Sequence, residues 1–361
     1  DFNAVKQWLS HCCAHHQKTC LSDTTRVAKI SGFKLIECSS RKLVTLSEIA
    51  EVDKMQFIAL SYVWGSKDAS DIPAGDGLPT QTPKVIDDAI AATQYMGYNY
   101  LWVDRYCIPQ DNPEAKHCQI RSMDIIYECA TVTIIAATGD DPSYGLPGVA
   151  STRRVPQEFV DIGSGTLVLL YPDIDYQLSK TRWDTRAWTY QEGLLSCRRL
   201  FFLDNQVYFQ CNSIRCMESI VTPSEADDSL YRRSPLYMYD LWNNHIPFPD
   251  GRVGDVPEEL LVLIDTYTER ELGFQSDALN AFEGILRRFV SAAKPVYHIW
   301  GIPIFTSGKQ ILDRLVAGFL WRLRVDDSVL DSLGQEQRRA PYPGTMRRRL
   351  FPSWSWVDWN G

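Results

Sequence analysis

Short apolar segments alternate with amphipathic helical segments between residues 57 and 137, and this alternation restricts the fold more than any other feature of the sequence. The apolar segments 57–60, 100–103 and 132–137 have the length and unbroken hydrophobicity of strands buried on both faces. Helical periodicity fills both intervals, over 83–96 and 115–129. Strands joined by single helices form right-handed parallel crossovers, so the sequence predicts an α/β parallel sheet with helices on both faces.

The first of these helices carries recognisable signals at both ends. Thr82 is a predicted N-cap, Pro83 suits the first helical position, and Gly97 can adopt the left-handed conformation that ends a helix. Similar patterns predict helices over 5–13, 184–196, 257–271, 277–292 and 311–324, strands over 33–37, 43–46, 166–171, 200–203 and 207–210, and disorder over 326–344.

Composition indicates the size and organisation of the protein. A chain of 361 residues with 45% hydrophobic side chains can form about two domains with a large core. We expect an N-terminal helix and strands over 1–50, an α/β core over 51–215, and a mainly helical extension over 216–361 that packs on the core. That extension ends in a Trp-rich segment, and a strand there would place Trp354 and Trp356 on one face.

Charge and cysteine content exclude several classes of partner. The formal net charge of −8 argues against general binding to nucleic acid or to an anionic membrane. The apolar runs are strand-sized, whereas a membrane-spanning helix needs about 20 apolar residues. Ten cysteines in 361 residues are too dilute for a disulfide scaffold, so we expect reduced thiols and a cytoplasmic protein.

Cys12, His16 and Cys20 invite comparison with a zinc site. On one helix they would spread over about 12 Å of axis, too far for one Zn²⁺ with bonds of about 2–2.3 Å. Two of these side chains with a distant cysteine could still form a site, but buried thiols are the favoured interpretation. We therefore expect no metal and no cofactor.

Polar side chains follow the first two predicted core strands. Ligands of parallel α/β sheets bind beyond the carboxyl ends of the strands, so these positions are the predicted substrate-binding residues. Cys107 also has an interpretation as a small apolar filler of the core. The full set is Ser61, Tyr62, Trp64 and Gly65 after the first strand, with Asp104, Arg105 and Cys107 after the second.

A further candidate pair lies on the predicted helix 184–196. Trp188 and Glu192 are four residues apart and share a helix face, and an indole beside a carboxylate can desolvate it. The alternative is a structural Glu192 that is paired with Arg186 or Arg198. Spacing alone favours that alternative.

Several stretches together resemble the fungal heterokaryon-incompatibility (HET) domain, in the family's order and over nearly the whole chain. They include Ala59-Leu60-Ser61-Tyr62-Val63-Trp64-Gly65, Tyr100-Leu101-Trp102-Val103-Asp104, Gly145-Leu146-Pro147 and Arg186-Ala187-Trp188-Thr189-Tyr190-Gln191-Glu192. Arg105 and Tyr106 depart from the family, which usually has small residues there. The resemblance implies an intracellular fungal protein of allorecognition and programmed cell death, with a family-specific α+β C-terminal extension.

The HET domain is in turn similar to Toll/interleukin-1 receptor (TIR) domains, which implies a TIR-like, flavodoxin-like sheet. Some TIR domains cleave NAD, and many carry a Trp-Cys-X-X-Glu stretch whose glutamate is catalytic. The segment from Trp188 to Glu192 has the same spacing, with Thr189 replacing the cysteine. The resemblance thus implies that Glu192 is the catalytic carboxylate of a hydrolase of NAD or a related nucleotide. Trp188 would then form a wall of the slot, and Arg186 or Arg105 would bind the pyrophosphate.

The competing hypothesis is a non-catalytic signalling module of the same fold. Its partners would be second copies of the chain or other signalling proteins, and Glu192 would be structural.

Overall fold

The computed structural model describes residues 1–51, 55–65, 77–169, 171–172, 174–219, 248, 251–306 and 346–360. The predicted helix over 311–324 and the predicted disorder over 326–344 lie outside these residues. The chain divides into two compact units: Asp1–Thr185 with Glu192–Arg252, and Arg186–Gln191 with Val253–Gly361. The predicted domain boundaries at 50 and 215 stay predictions.

An eight-stranded mixed sheet organises the first unit. Its order is β10-β9-β8-β5-β3-β4-β1-β2, in which β8, β5, β3 and β4 run parallel and both edges are antiparallel. The described strands are β1 (Lys34–Glu37), β2 (Lys42–Thr45), β3 (Phe57–Ser61), β4 (Tyr100–Trp102), β5 (Val132–Ala136), β6 (Phe159–Ile162), β7 (Gly165–Val168), β8 (Arg198–Phe202), β9 (Val207–Cys211), β10 (Arg215–Met217), β11 (Val296–Ile299), β12 (Ile302–Phe305), β13 (Met346–Arg347) and β14 (Trp359–Asn360).

The helices confirm the predicted alternation, with two interruptions. The single helix predicted over 115–129 is broken at Ser122, and the one predicted over 184–196 is broken at Arg186. The described helices are α1 (Phe2–His15), α2 (Lys84–Met96), α3 (Asp104–Cys107), α4 (Pro113–Arg121), α5 (Met123–Cys129), α6 (Ile174–Ser179), α7 (Arg182–Thr185), α8 (Ala187–Leu195), α9 (Glu259–Thr268) and α10 (Asn280–Val290).

The order of the parallel strands creates a switch point between β3 and β5. From β3 the chain moves to one side through α2 and β4, then returns across β3 through α3 to α5 and enters β5. Right-handed crossovers in opposite directions place α2 and α5 on opposite faces of the sheet. Ligands of such sheets bind at the carboxyl ends of the strands that flank the switch point. Ser61, the last residue of β3, is aligned with Ile135 of β5 at this edge.

The ends of α2 correct one prediction and confirm another. Pro83 is the N-cap, and Thr82 instead donates its hydroxyl to Asp87 Oδ1 at 2.6 Å. Gly97 ends the helix in the left-handed region, with φ 93°. On the same helix, the buried Asp88 carboxylate accepts hydrogen bonds from the Leu146 amide (2.8 Å) and from a threonine hydroxyl, and so anchors the loop after β5.

Gly145→Ala should destabilise the first unit by about 1–3 kcal/mol, the usual cost of one strained backbone position. Gly145 has φ +87°, and a Cβ there would lie 2.4 Å from Asp88 Oδ2 and 2.6 Å from Thr152 Oγ1. Chemical denaturation measures the loss. Gly77→Ala is the matched control, because a Cβ there meets no atom within 4 Å. Equal midpoints for the two variants would contradict the anchoring role.

The second unit buries the apolar face of α10. Phe282 and Tyr267 pack against the ring of Trp356, which is itself buried. The predicted Trp-rich strand is wrong over Trp356–Asp358, which is a 3₁₀ helix capped by the Ser355 hydroxyl. The helical turn separates the two rings: Trp354 is 41% exposed and Trp356 only 5%.

Among the described residues no helix combines the length and hydrophobicity needed to cross a membrane.

Candidate functional site

Glu192 and Ser61 meet at the switch point of the sheet. The Ser61 hydroxyl donates to Glu192 Oε2 at 2.5 Å, and the indole N–H of Trp183 donates to Ser61 Oγ at 2.8 Å. Ser61 and Trp183 are fully buried, and Glu192 is 5% exposed. The indole nitrogen can only donate, so the Ser61 proton is directed to the carboxylate.

The C-terminal half of α8 is fixed to the neighbouring strands, which positions Glu192. The Ser196 hydroxyl donates to the Glu192 carbonyl (2.7 Å) and lies 2.6 Å from Thr133 Oγ1 on β5. Arg199 on β8 donates to the carbonyls of Gly193 and Leu194 and caps the last turn of the helix. These contacts fix the backbone that carries the Glu192 carboxylate, at the carboxyl ends of the parallel strands.

Tyr127 is a buried tyrosine of α5 that contacts the end of β3. Its hydroxyl donates to the Leu60 carbonyl at 3.2 Å. Burial raises the pKa of the Tyr127 phenol well above its ordinary value, and the negative charges of Glu192 and Asp104 raise it further.

Asp104 begins α3 directly after β4. Its carboxylate accepts from the indole N–H of Trp64 (2.8 Å) and from the Arg105 amide (2.6 Å). The Arg105 guanidinium lies 5.9 Å from the centre of the Trp64 ring, a cation–π geometry. The sequence prediction that side chains after β3 and β4 converge is therefore supported for Trp64, Asp104 and Arg105. Their role in binding substrate stays a prediction.

Tyr62 and Gly65 lie in the segment that follows β3. Burial raises the pKa of Tyr62 well above its ordinary range, with a further contribution from the negative charge of Asp104. Gly65 has φ +68°, and a Cβ there would lie 2.8 Å from Pro142 Cδ, so the position requires glycine. The turn after β3 can therefore approach the loop after β5.

Cys107 has the contacts of a core filler. It is fully buried, and its sulfur lies 3.4 Å from the Val103 amide nitrogen and 4.0 Å from the Leu101 carbonyl. Burial raises the pKa of the thiol to about 12. These contacts favour the packing interpretation over the predicted contact with substrate.

Native alkylation at pH 8 should modify the exposed Cys118 and leave Cys107 intact. With its pKa raised to about 12, the Cys107 thiol remains protonated below that pH, so its thiolate fraction at pH 8 is on the order of 10⁻⁴. Peptide mass spectrometry before and after unfolding measures the protection. Labelling of Cys107 as fast as Cys118 would place it in the accessible site after all.

Arg186 and Trp188 are described with the second unit. The indole N–H of Trp188 donates to Asp277 Oδ2 at 3.4 Å, and the backbone around Arg186 pairs with Glu271. Their predicted contacts with substrate stay predictions.

The structural alternative for Glu192 named Arg198 as a partner. Arg198 instead directs its guanidinium to Cys12 Sγ (3.1 Å) and to the carbonyls of Cys20 (2.8 Å) and Thr131 (3.1 Å). Its hydrogen bonds thus go to the N-terminal segment and to the start of β5.

Sequence reasoning missed two members of the site. Trp183 lies in α7, outside the i, i+4 pattern of α8, and its partner Ser61 is 122 residues away. Tyr127 lies in the helix predicted over 115–129, and helical periodicity alone indicates no polar contact for it. The one available signal is general: buried indole and phenol groups need hydrogen-bond partners, which polar strand ends can supply.

The interpretation of Cys12, His16 and Cys20 as positions on one helix is wrong. Helix α1 ends at His15, and the turn that follows places Cys20 Sγ within 4.8 Å of Cys12 Sγ and of a His16 ring nitrogen. The predicted spread of three ligands along the helix axis therefore does not occur.

Comparison with known proteins identifies the segment that contains the site. Residues 57–192 match the family model of the heterokaryon incompatibility protein (HET), from the first residue of β3 to Glu192. The chain is also similar to heterokaryon incompatibility protein 6, OR allele, of Neurospora crassa, with 32% identity over 127 residues. The alignment covers 30% of this chain and 18% of the relative, so the chain spans less than a fifth of that protein. No solved structure matches the chain. Ser61, Asp104, Tyr127, Trp183 and Glu192 all lie inside the matched segment, and the chain is a HET-domain protein.

Proposed function

We propose that this chain acts in fungal incompatibility, the process in the name of its Neurospora crassa relative, by cleaving the nicotinamide–ribose bond of NAD or a related nucleotide. We further propose that the sheet is flavodoxin-like and TIR-like. The order of its parallel strands, second-first-third-fourth along the chain, agrees with the start of the flavodoxin order.

The observation that carries the proposal is the buried Glu192 carboxylate, which accepts a hydrogen bond from the Ser61 hydroxyl at the switch point. Cleavage of this glycosidic bond passes through an oxocarbenium-like ribose, which a fixed carboxylate in a dry site stabilises. Because Trp183 orients the Ser61 hydroxyl, the carboxylate needs little reorganisation when positive charge develops.

The reaction is a hydrolysis and needs no redox partner. The bond between C1′ of the ribose and the pyridinium nitrogen breaks, and its electron pair neutralises the nicotinamide that leaves. Water then bonds to C1′ and loses one proton to solvent, which yields ADP-ribose. Glu192 would face the cationic C1′, Asp104 would accept a ribose hydroxyl, and Arg105 would pair with the pyrophosphate.

Incubation of the purified chain with NAD, followed by chromatography of nicotinamide and ADP-ribose, tests the proposal. We expect equal amounts of both products, formed at a rate proportional to protein concentration. NADP and nicotinic acid adenine dinucleotide in parallel samples define the substrate class. Intact dinucleotides in all three samples after prolonged incubation of folded protein would refute the enzymatic function.

The second candidate function is a non-catalytic interaction module. The β6–β7 hairpin favours it, because all eight strand residues are exposed. Val160, Ile162 and Leu167 share one face of the hairpin and have 54–60% of their surfaces exposed, and apolar surface of this kind marks sites of association. Concentration-dependent light scattering that Leu167→Ser abolishes, in a protein without nucleotide turnover, would support this function instead.

A further inference from the structure

Four buried side chains with metal-binding atoms converge at the end of α1. Sγ atoms of Cys12, Cys20 and Cys211 and one ring nitrogen of His16 all lie within 4.8 Å of one another. A tetrahedral zinc ion with bonds of about 2.0–2.3 Å holds its ligand atoms about 3.3–3.8 Å apart. The distance between Cys211 Sγ and His16 Nδ1 is already 3.4 Å. Small side-chain adjustments therefore suffice to close the set around one ion.

Three separate elements supply the four groups. Cys12 lies in the last turn of α1, His16 is the C-cap, and the turn 16–20 returns Cys20 to the helix end. Cys211 is the last residue of β9 and arrives from a strand almost two hundred positions later. Such a set joins the N-terminal segment to β9 of the central sheet, and closed structural zinc sites commonly join separate segments in this way.

N–H donors surround two of the three sulfur atoms, Cys12 Sγ and Cys211 Sγ. After β9 the chain turns so that the amides of Ser213 and Ile214 both point at Cys211 Sγ, at 3.4 and 3.3 Å. The Arg198 guanidinium donates to Cys12 Sγ at 3.1 Å. A neutral thiol is a weak acceptor, whereas several N–H donors around one sulfur are expected when it carries negative charge.

Charge balance leads to the same conclusion. Three thiolates and one neutral imidazole around Zn²⁺ leave one net negative charge, and the buried guanidinium of Arg198 compensates it. The turn 16–20 is also tied to the β9–β10 turn, since the Asn212 amide donates to the Thr19 carbonyl (2.9 Å). Hydrogen bonds from Arg198 and Asn212 thus hold the segments that carry the four groups close together.

We propose that Cys12, His16, Cys20 and Cys211 bind one structural zinc ion. The chemistry of the donors selects the metal, because a tetrahedral set rich in thiolates favours Zn²⁺ over Mg²⁺ or Ca²⁺. The site lies outside the segment 57–192 and is independent of nucleotide cleavage by Glu192.

Metal analysis of the full chain, purified in the presence of a reductant that does not bind metals, tests the proposal. We expect about one zinc per chain. Replacement by Co²⁺ should give the visible bands of a tetrahedral cobalt site together with a near-ultraviolet thiolate-to-cobalt band. Wild-type protein without zinc that also gives no such bands with Co²⁺ would overturn the proposal, as would a disulfide between any two of the three cysteines in freshly purified protein.

Two cysteine variants distinguish loss of metal binding from general destabilisation of the β9–β10 hairpin. Cys211→Ser should lower the zinc content to below about a tenth of an ion per chain, because a ligand is lost. Cys216→Ser changes another buried thiol of the same hairpin, outside the cluster, and should keep the full content. If Cys211→Ser does not fold, the cobalt spectrum of the wild-type chain decides. Equal zinc in both folded variants would contradict the assignment.

Discussion

Glu192→Gln should lower nucleotide cleavage by at least about 10²-fold, the usual effect of removing one preorganised electrostatic group. The amide keeps the volume of the side chain, and its oxygen can still accept the Ser61 hydroxyl, so the buried network survives. What disappears is the negative charge that would face the ribosyl cation. Initial rates of nicotinamide release measure the effect.

A matched control for Glu192→Gln is Glu128→Gln, which also changes a buried carboxylate. Glu128 is 3% exposed and pairs with Arg26 and Arg252 away from the switch point. Because Arg26 and Arg252 keep 34% and 41% of their side-chain surface exposed, loss of the Glu128 charge should cost about 1–3 kcal/mol, with specific activity of the folded fraction unchanged. The inverse result, a stability loss at Glu192 and an activity loss at Glu128, would make Glu192 a structural residue.

Trp183→Ala should cost about 3–5 kcal/mol in the free energy of unfolding, the range for deletion of a large buried aromatic ring. Trp183 has no exposed surface and packs edge-to-face on Phe201, with ring centres 6.1 Å apart. Gly193 leaves no spare room beside it, since a Cβ there would lie 3.1 Å from the indole. Urea denaturation followed by circular dichroism measures the loss.

Trp183→Phe separates packing from hydrogen bonding at the same position. The smaller ring retains most of the apolar contacts but cannot donate to Ser61. We expect an intermediate stability loss together with reduced cleavage, because Ser61 loses the donor that orients it. Trp354→Ala, at a largely exposed tryptophan, should change stability by less than about 0.5 kcal/mol. A Trp183→Ala variant as stable as Trp354→Ala would contradict the packing described for the site.

The sequence was sufficient to predict the parallel strands at the centre of the sheet but not the antiparallel strands on either side of them. Strands β3, β4 and β5 are apolar on every or nearly every residue, and the helical patterns between them require parallel crossovers. The outer strands β2 and β10 are only four and three residues long. Their direction depends on tight turns, which hydrophobic periodicity does not reveal.

The candidate site was predictable only in part, for the same physical reason. The strand-end rule located Ser61, Trp64 and Asp104, because it follows from topology alone. Trp183 and Tyr127 enter through contacts between distant segments, and no spacing along the chain records them. Likewise no glycine or proline marks the end of α1, so the return of Cys20 toward His16 depends on tertiary contacts.

The most direct test of the site is a crystal structure of the chain with a C-nucleoside analogue of NAD, whose ribosyl C–C bond cannot be hydrolysed. The account predicts that C1′ of this ribose lies within about 4 Å of a Glu192 carboxylate oxygen, at the carboxyl ends of β3 and β5. A ribose hydroxyl should then contact Asp104. An analogue bound with its ribose away from Glu192, in a protein that cleaves NAD, would contradict the assignment.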